Sequence, residues 1–121
     1  MGMTMKRIII ALLATAAIGV GVASPAAAVS WGDQATQSAR EYLASQAFSR
    51  SGLIHQLEYE GFSEAEATRG VDAVHANWYV QAVRDAREYL ASQSFSRSGL
   101  IRQLRYEGFT LRQATYGVNH A

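Results

Sequence analysis

A 47-residue internal repeat constrains the fold of this chain more than any other feature of its sequence. REYLASQAFSRSGLIHQLEYEGF (residues 40–62) returns as REYLASQSFSRSGLIRQLRYEGF (residues 87–109), with three differences. When residues 31–74 are aligned with residues 78–121, 28 of the 44 pairs are identical. A period of this length is typical of a repeated supersecondary unit. Because a unit of under about 50 residues is small for an independent core, we expect the two units to pack on each other or on a partner.

The first 28 residues have the pattern of a secretory signal peptide. Lys6 and Arg7 precede an apolar run over residues 8–22, and Pro25 precedes the three alanines of residues 26–28, where a signal peptidase would cleave. We therefore predict an exported protein, either secreted or associated with the cell envelope. Retention of this stretch as an uncleaved membrane anchor remains an alternative, because a span needs only about 20 apolar residues.

Two helical repeats make up the rest of the predicted organisation, which is a signal peptide (residues 1–28), repeat 1 (residues 29–77) and repeat 2 (residues 78–121). In each repeat we predict three short helices, since apolar residues recur at helical spacing. The predicted fold is all-α, with two tandem three-helix repeats that resemble a helix-turn-helix.

Helix start and stop signals occur at matching places in both repeats. Ser49 and Ser96 are predicted N-caps of the second helix, and Gly61 and Gly108 are predicted to end it in a left-handed conformation. Phe48 and Phe95 are expected to fill the corner before that helix. The third helix begins with a capping box, SEAE in repeat 1 and TLRQ in repeat 2. Gly70 and Gly117 lie inside this helix, where we expect a close approach between helices.

The two repeats carry opposite charge. Residues 31–77 contain three Arg and seven acidic residues, for a net charge of −4, whereas residues 78–121 contain six Arg and three acidic residues, for a net charge of +3. Two consequences are open at this point. The acidic repeat can associate with the basic repeat, within one chain or between chains, or the basic repeat can address an anionic partner such as an envelope polymer.

Polar residues that are repeated, or that become arginine in repeat 2, define a candidate partner-binding surface. A recent duplication would also explain the identical ones, and that alternative stays open. The candidates are Arg50, Gln56, Tyr59, Glu60, Arg97, Arg102, Gln103, Arg105, Tyr106 and Glu107.

Several function classes are not expected. The chain contains no cysteine, which excludes thiol catalysis and thiolate metal sites. His55, His75 and His120 have no histidine at their 47-residue mates and form no metal-binding motif. We therefore expect no enzymatic activity, no metal and no cofactor. Gene regulation through DNA is not expected either, because the exported part is close to neutral and phosphate contacts require a basic field.

The pattern YLxxxxFSRxGLIxQLxYEGF, present in both repeats, resembles the Ltp family of bacterial and prophage-encoded cell-surface lipoproteins. The resemblance extends over both repeats, from about residue 31 to residue 119. It implies a tandem helix-turn-helix-like fold and a non-enzymatic role at the host surface. A role known for one member of the family is superinfection exclusion, in which injection of incoming phage DNA is blocked through contact with a phage protein such as the tape measure protein, and the resemblance implies this role as one expectation for the chain.

This chain differs from the family pattern at the point of membrane attachment. Lipoproteins of the family attach through a lipobox cysteine, whereas this chain has Ala28, Val29 and Ser30 at that place and no cysteine. The sequence therefore predicts an exported interaction protein with a protein partner. The alternative is a secreted envelope-binding or adhesion module of the host without a phage role.

Overall fold

The computed structural model describes residues 28–121, and the regular secondary structure of this part of the chain is entirely α-helical. Repeat 1 contains α1 (Trp31–Ser45), α2 (Arg50–Tyr59) and α3 (Glu64–Val74). Repeat 2 contains α4 (Trp78–Ser92), α5 (Arg97–Tyr106) and α6 (Leu111–Asn119). The predicted all-α fold of two tandem three-helix repeats is confirmed. The predicted signal peptide lies outside the described residues, apart from Ala28.

The predicted caps set the ends of the helices. The hydroxyl of Ser49 accepts a hydrogen bond from the Gly52 N–H at 2.9 Å, and the hydroxyl of Ser96 accepts one from the Gly99 N–H at 3.0 Å. Both predicted capping boxes form, one at the start of α3 and one at the start of α6. The termini of these helices would otherwise leave N–H groups without partners, so the sequence directly determines where they begin.

A glycine turn ends α2 and α5 in the same way. Gly61 has a φ of 109° and Gly108 has a φ of 110°, a region that costs glycine little. The N–H of Phe62 reaches back to the carbonyl of Leu57 at 3.1 Å, which is the long hydrogen bond of a Schellman motif. The turn reverses the chain so that the third helix packs against the first.

The third helix of each repeat crosses the first at very short distance. A Cβ atom placed on Gly70 would lie 2.6 Å from the Cβ of Ala35, and one placed on Gly117 would lie 2.6 Å from the carbonyl carbon of Ala82. No real Cβ fits there, so the predicted close approach at both glycines is confirmed. This crossing brings the two ends of each repeat together into one compact body.

Each repeat has its own apolar core, and one residue of repeat 2 adds to the core of repeat 1. The core of repeat 1 consists of Ala35, Ala39, Phe48, Leu53, Ile54, Leu57, Ala67 and Val71. The core of repeat 2 consists of Ala82, Ala86, Tyr89, Leu100, Leu104, Phe109 and Ala114. Trp78, at the start of α4, packs against the core of repeat 1.

The corner aromatics behave as predicted. The ring of Phe48 meets Tyr42 edge to face with centroids 5.6 Å apart, and Phe95 meets Tyr89 at 5.5 Å. Within residues 28–121, no helix combines the length and the apolarity needed to cross a bilayer.

Candidate interaction surface

Part of the predicted surface forms hydrogen bonds inside each repeat and so stabilises the repeat itself. The side-chain amide of Gln103 donates hydrogen bonds to the hydroxyl of Tyr89 at 3.1 Å and to the carboxylate of Glu107 at 3.3 Å. The Tyr89 hydroxyl also donates to that carboxylate. Gln56 makes the corresponding contacts in repeat 1 and is only 3% exposed. Because buried polar groups require partners, folding alone accounts for the identity of these residues in both repeats.

Glu60 is more exposed than Glu107, the residue at the corresponding position of repeat 2. Burial of part of its carboxyl group raises the pKa of Glu60, and the nearby carboxylate of Glu41 raises it further. Its counterpart Glu107 is half-buried and accepts hydrogen bonds from α4 and α5. The C-terminal end of α2 therefore presents the Glu60 carboxylate to the surface.

Arg50 and Arg97 make the same type of contact in the two repeats. The guanidinium of Arg50 binds both carboxylate oxygens of Asp72, at 2.7 Å and 2.9 Å. Arg97 donates two hydrogen bonds to the side-chain oxygen of Asn119, at 3.0 Å and 2.7 Å. Each arginine ties the start of the second helix to the end of the third. The hydrogen bond from Arg50 lowers the pKa of Asp72 below its ordinary value.

Three of the four remaining candidates lie on an outward face of α5, and the fourth, Tyr59, is the last residue of α2. Arg102, Arg105 and Tyr106 are all exposed, and their spacing of three and four residues places them side by side on the helix surface. We call these three residues the α5 face. Tyr106 is 77% exposed, so its ring contributes almost nothing to the core. At the corresponding positions, repeat 1 has a histidine, a glutamate and Tyr59, which is 75% exposed.

A second surface was not predicted from the sequence. Tyr79 meets Tyr116 edge to face with centroids 5.3 Å apart, and Tyr116 stacks on His120 with centroids 3.9 Å apart. We call these three residues the aromatic cluster. Repeat 1 has glycine, arginine and alanine at these positions, so the cluster belongs to repeat 2 alone. A comparison of the changed positions, rather than the identical ones, would have revealed it.

A shallow groove adjoins the aromatic cluster along α6. Its lining residues are Thr110, Leu111, Arg112, Thr115, Tyr116, Asn119 and His120. Leu111 and Tyr116 keep about half of their surface in solvent, at 54% and 40% exposed. Repeat 2 therefore combines arginine with exposed apolar side chains on two of its helices.

Side chains of each repeat donate hydrogen bonds to backbone carbonyls of the other repeat. The candidate residues chosen from the sequence did not predict this contact. The hydroxyl of Ser49 donates to the carbonyl of Glu107 at 2.7 Å, and the hydroxyl of Ser51 donates to the carbonyl of Gly108 at 3.3 Å. On the other side of the contact, Arg84 donates to the carbonyl of Leu43 at 3.0 Å. From the sequence we expected the two repeats to pack on each other or on a partner. In the structure they contact each other directly.

Fold and surface together define a tandem three-helix-repeat protein in which the two repeats share a fold and differ in their outer faces. The chain belongs to the Ltp family, described as host cell surface-exposed lipoproteins, whose profile matches residues 30–74 and again residues 77–121. Each match covers one three-helix repeat, which confirms the resemblance seen in the sequence. The family description makes this a protein exposed at the cell surface.

No curated protein and no solved structure showed significant similarity to this chain.

Proposed function

We propose that this protein acts at the cell surface by binding another protein, and that the partner is a protein of an incoming phage whose DNA injection is thereby blocked. The family membership supports the cellular location. The observation that carries the binding role is that repeat 2 exposes Arg102 and Arg105, where repeat 1 has a histidine and a glutamate. Repeat 2 also has the aromatic cluster, where repeat 1 has glycine, arginine and alanine.

The chemistry of these exposed residues suits a protein partner. Tyrosine and arginine are enriched among the residues that dominate binding energy at protein interfaces. Tyr106 projects a large ring into solvent at no benefit to the core, so a role outside folding explains its presence in both repeats. The charge of +3 on repeat 2 favours a partner with an acidic surface.

We favour binding over catalysis because the repeated polar side chains form hydrogen bonds with other side chains of the same repeat. Gln103 and Glu107 hydrogen-bond to Tyr89, and Arg97 binds Asn119. A catalytic group would need to present its polar atoms to a substrate. The arginines of the α5 face remain exposed at the surface, where electrostatic attraction of a partner is effective.

The test is the plating efficiency of a panel of phages on host cells that express the full chain, with phage adsorption scored separately. We expect fewer plaques at unchanged adsorption, because the proposed block follows attachment. The variant Arg102→His with Arg105→Glu gives α5 the residues of α2 and should abolish the protection. The matched control, His55→Arg with Glu58→Arg, makes the reciprocal exchange in repeat 1 and should leave the protection intact.

Normal plating across the panel would overturn the phage role. Binding of the purified protein to isolated host envelopes would then identify the host module without a phage role. Protection that survives the Arg102→His, Arg105→Glu exchange would contradict the assignment of the α5 face, provided that thermal melts show both variants folded.

A further inference from the structure

We propose that this protein associates head to tail with further copies of itself, through the same contact that joins its two repeats. The head is the turn between the first and second helix, residues 47–51 in repeat 1 and residues 94–98 in repeat 2. The tail is the turn after the second helix, residues 60–62 in repeat 1 and residues 107–109 in repeat 2, together with the tryptophan that begins the first helix. This proposal does not depend on a phage role.

Within one chain, the head of repeat 1 is docked on the tail of repeat 2. The hydroxyls of Ser49 and Ser51 donate to the backbone carbonyls of Glu107 and Gly108. Ala47, Phe48 and Ser49 of this docked head are buried. On the tail side Trp78 is half-buried against the core of repeat 1.

The head of repeat 2 has kept the same residues and stays uncovered. Residues 94–98 read SFSRS, against AFSRS in the docked head. Ser94, Ser96 and Ser98 are exposed, and Phe95 is half-exposed. Leu90, just before this turn, is 46% exposed, whereas its counterpart Leu43 is half-buried and accepts the hydrogen bond from Arg84. The second head therefore has the same hydroxyl donors as the first, but within residues 28–121 it lacks the backbone acceptors that Glu107 and Gly108 supply to the first.

The tail of repeat 1 is likewise uncovered, and a pocket marks the place where a head would dock. This pocket is lined by Trp31, Glu60, Gly61, Phe62 and Glu66. Trp31 is 59% exposed, whereas its counterpart Trp78 is half-buried against the core of repeat 1. A Cβ atom on Gly61 would meet no atom of the described part of the chain within 4 Å, whereas one on Gly108 would collide with the hydroxyls of Ser49 and Ser51. Among residues 28–121, one tail is thus occupied and the other is empty.

Charge favours a second copy as the occupant of this pocket. The empty tail belongs to the repeat with a charge of −4, and its pocket contains Glu60 and Glu66. The uncovered head belongs to the repeat with a charge of +3 and contains Arg97. The uncovered head of one chain is therefore complementary in charge to the uncovered tail of a second chain. These two surfaces also have nearly the same sequence as the head and the tail that are in contact within one chain.

Contacts of this kind build rings or open filaments. The head and the tail are different surfaces, so the contact is heterologous and every added copy leaves one of each uncovered until a ring closes. The internal contact forms at the effective concentration of a short linker, which is about 1 mM. Association between chains should therefore appear at high concentration, or where copies accumulate at the cell surface.

The test is sedimentation velocity of the protein purified from expression of the full chain, at concentrations from about 10 µM to about 1 mM. We expect the average mass to rise with concentration. The rise should shrink at about 1 M salt, because attraction between exposed charges is then screened within about 3 Å. A protein that remains a single chain at the top of this range in low salt would overturn the proposal.

Two variants break opposite ends of the contact. Ser98→Glu places a carboxylate on the uncovered head against the acidic tail, and it suits the first turn of α5, where negative charge is favourable. Trp31→Gln removes the exposed indole from the empty tail. Each variant alone should associate at least tenfold more weakly than the native protein. Ala73→Glu, an exposed position on α3 outside both surfaces, is the control and should associate normally.

Mixing the two variants distinguishes a head-to-tail contact from any symmetric one. The intact tail of the Ser98→Glu protein can bind the intact head of the Trp31→Gln protein, so the mixture should form dimers and stop there. Failure of the mixture to form dimers while the native protein associates would overturn the head-to-tail geometry, as would single variants that associate as well as the control.

Discussion

The hydroxyl of Ser49 lies 2.7 Å from the backbone carbonyl of Glu107 and donates a hydrogen bond to it. The same oxygen accepts a hydrogen bond from the N–H of Gly52 at 2.9 Å. One side chain therefore caps α2 and holds the end of α5. Ser96, at the same place in repeat 2, caps α5 and remains exposed. Two serines in nearly identical segments therefore differ in their hydrogen bonds, because only Ser49 also binds the other repeat.

We expect Ser49→Ala to destabilise the protein more than Ser96→Ala. Both variants lose an N-cap, at a cost of about 1 kcal/mol. Only Ser49→Ala also loses the hydrogen bond between the repeats, which adds about 1 kcal/mol. Thermal or urea unfolding of both variants measures the difference. Equal losses in the two variants would show that the hydrogen bond to Glu107 contributes nothing to stability.

Substitution of the two turn glycines should also lower the stability of the protein by unequal amounts. Gly61→Ala and Gly108→Ala both force a side chain into a left-handed backbone, at a cost of about 1–2 kcal/mol. At Gly61 the new methyl group enters open space, whereas at Gly108 it collides with Ser49 and Ser51. Gly108→Ala should therefore lower the melting temperature further.

The matched control for that pair is Gly61→Val, in which a β-branched residue resists the turn without touching repeat 2. It should destabilise the protein strongly through the backbone alone. If Gly61→Val melts at the native temperature, the C-terminal boundary of α2 is wrong.

Gly70→Ala should be destabilising although alanine favours helices. The gain in helix propensity is about 1 kcal/mol, but the new methyl group would sit 2.6 Å from the Cβ of Ala35. Overpacking of this kind typically costs about 1–3 kcal/mol. Urea unfolding should show a net loss. Ala73→Gly, at an exposed position on the same helix, is the control and should lose only the propensity difference; a stabilised Gly70→Ala would contradict the helix crossing.

Local signals allowed most of the fold to be predicted from the sequence. Ser49, Ser63 and Gly61 act through hydrogen bonds and backbone angles within a few residues of themselves, so the sequence nearby suffices to place them. The repeat itself then predicts that the second unit has the same architecture. Gly70 was informative for the same reason, because glycine inside a helix is unfavourable unless a neighbour requires the space.

The contact between the repeats could not be predicted, because nothing local distinguishes its two possible versions. Ser49 and Ser96 lie in nearly identical segments, yet only Ser49 reaches a carbonyl of the other repeat. Which head docks depends on how the chain crosses from α3 to α4. The aromatic cluster was missed for a related reason, since Tyr79 and Tyr116 are distant in sequence and meet only when α6 packs on α4.

The ion pair of Arg50 and Asp72 gives a pH-dependent prediction with a natural control. Arg50 lowers the pKa of Asp72 in the folded state, so the pair stabilises the protein above the unfolded pKa of about 3.9. That contribution is lost as the pH falls through the lower folded pKa. Since both side chains are about half exposed, the contribution at neutral pH should be no more than about 1 kcal/mol.

Asp72→Asn converts this pair into the arrangement that repeat 2 already has, in which Arg97 binds Asn119. We expect the variant to melt slightly below the native protein at pH 7, and the difference to vanish at a pH below the folded pKa of Asp72. The reciprocal variant Asn119→Asp should gain stability at pH 7 and lose that gain in acid, because it creates the ion pair in repeat 2. A difference between Asp72→Asn and the native protein that persists unchanged in acid would mean that Asp72 stabilises the fold by shape rather than by charge.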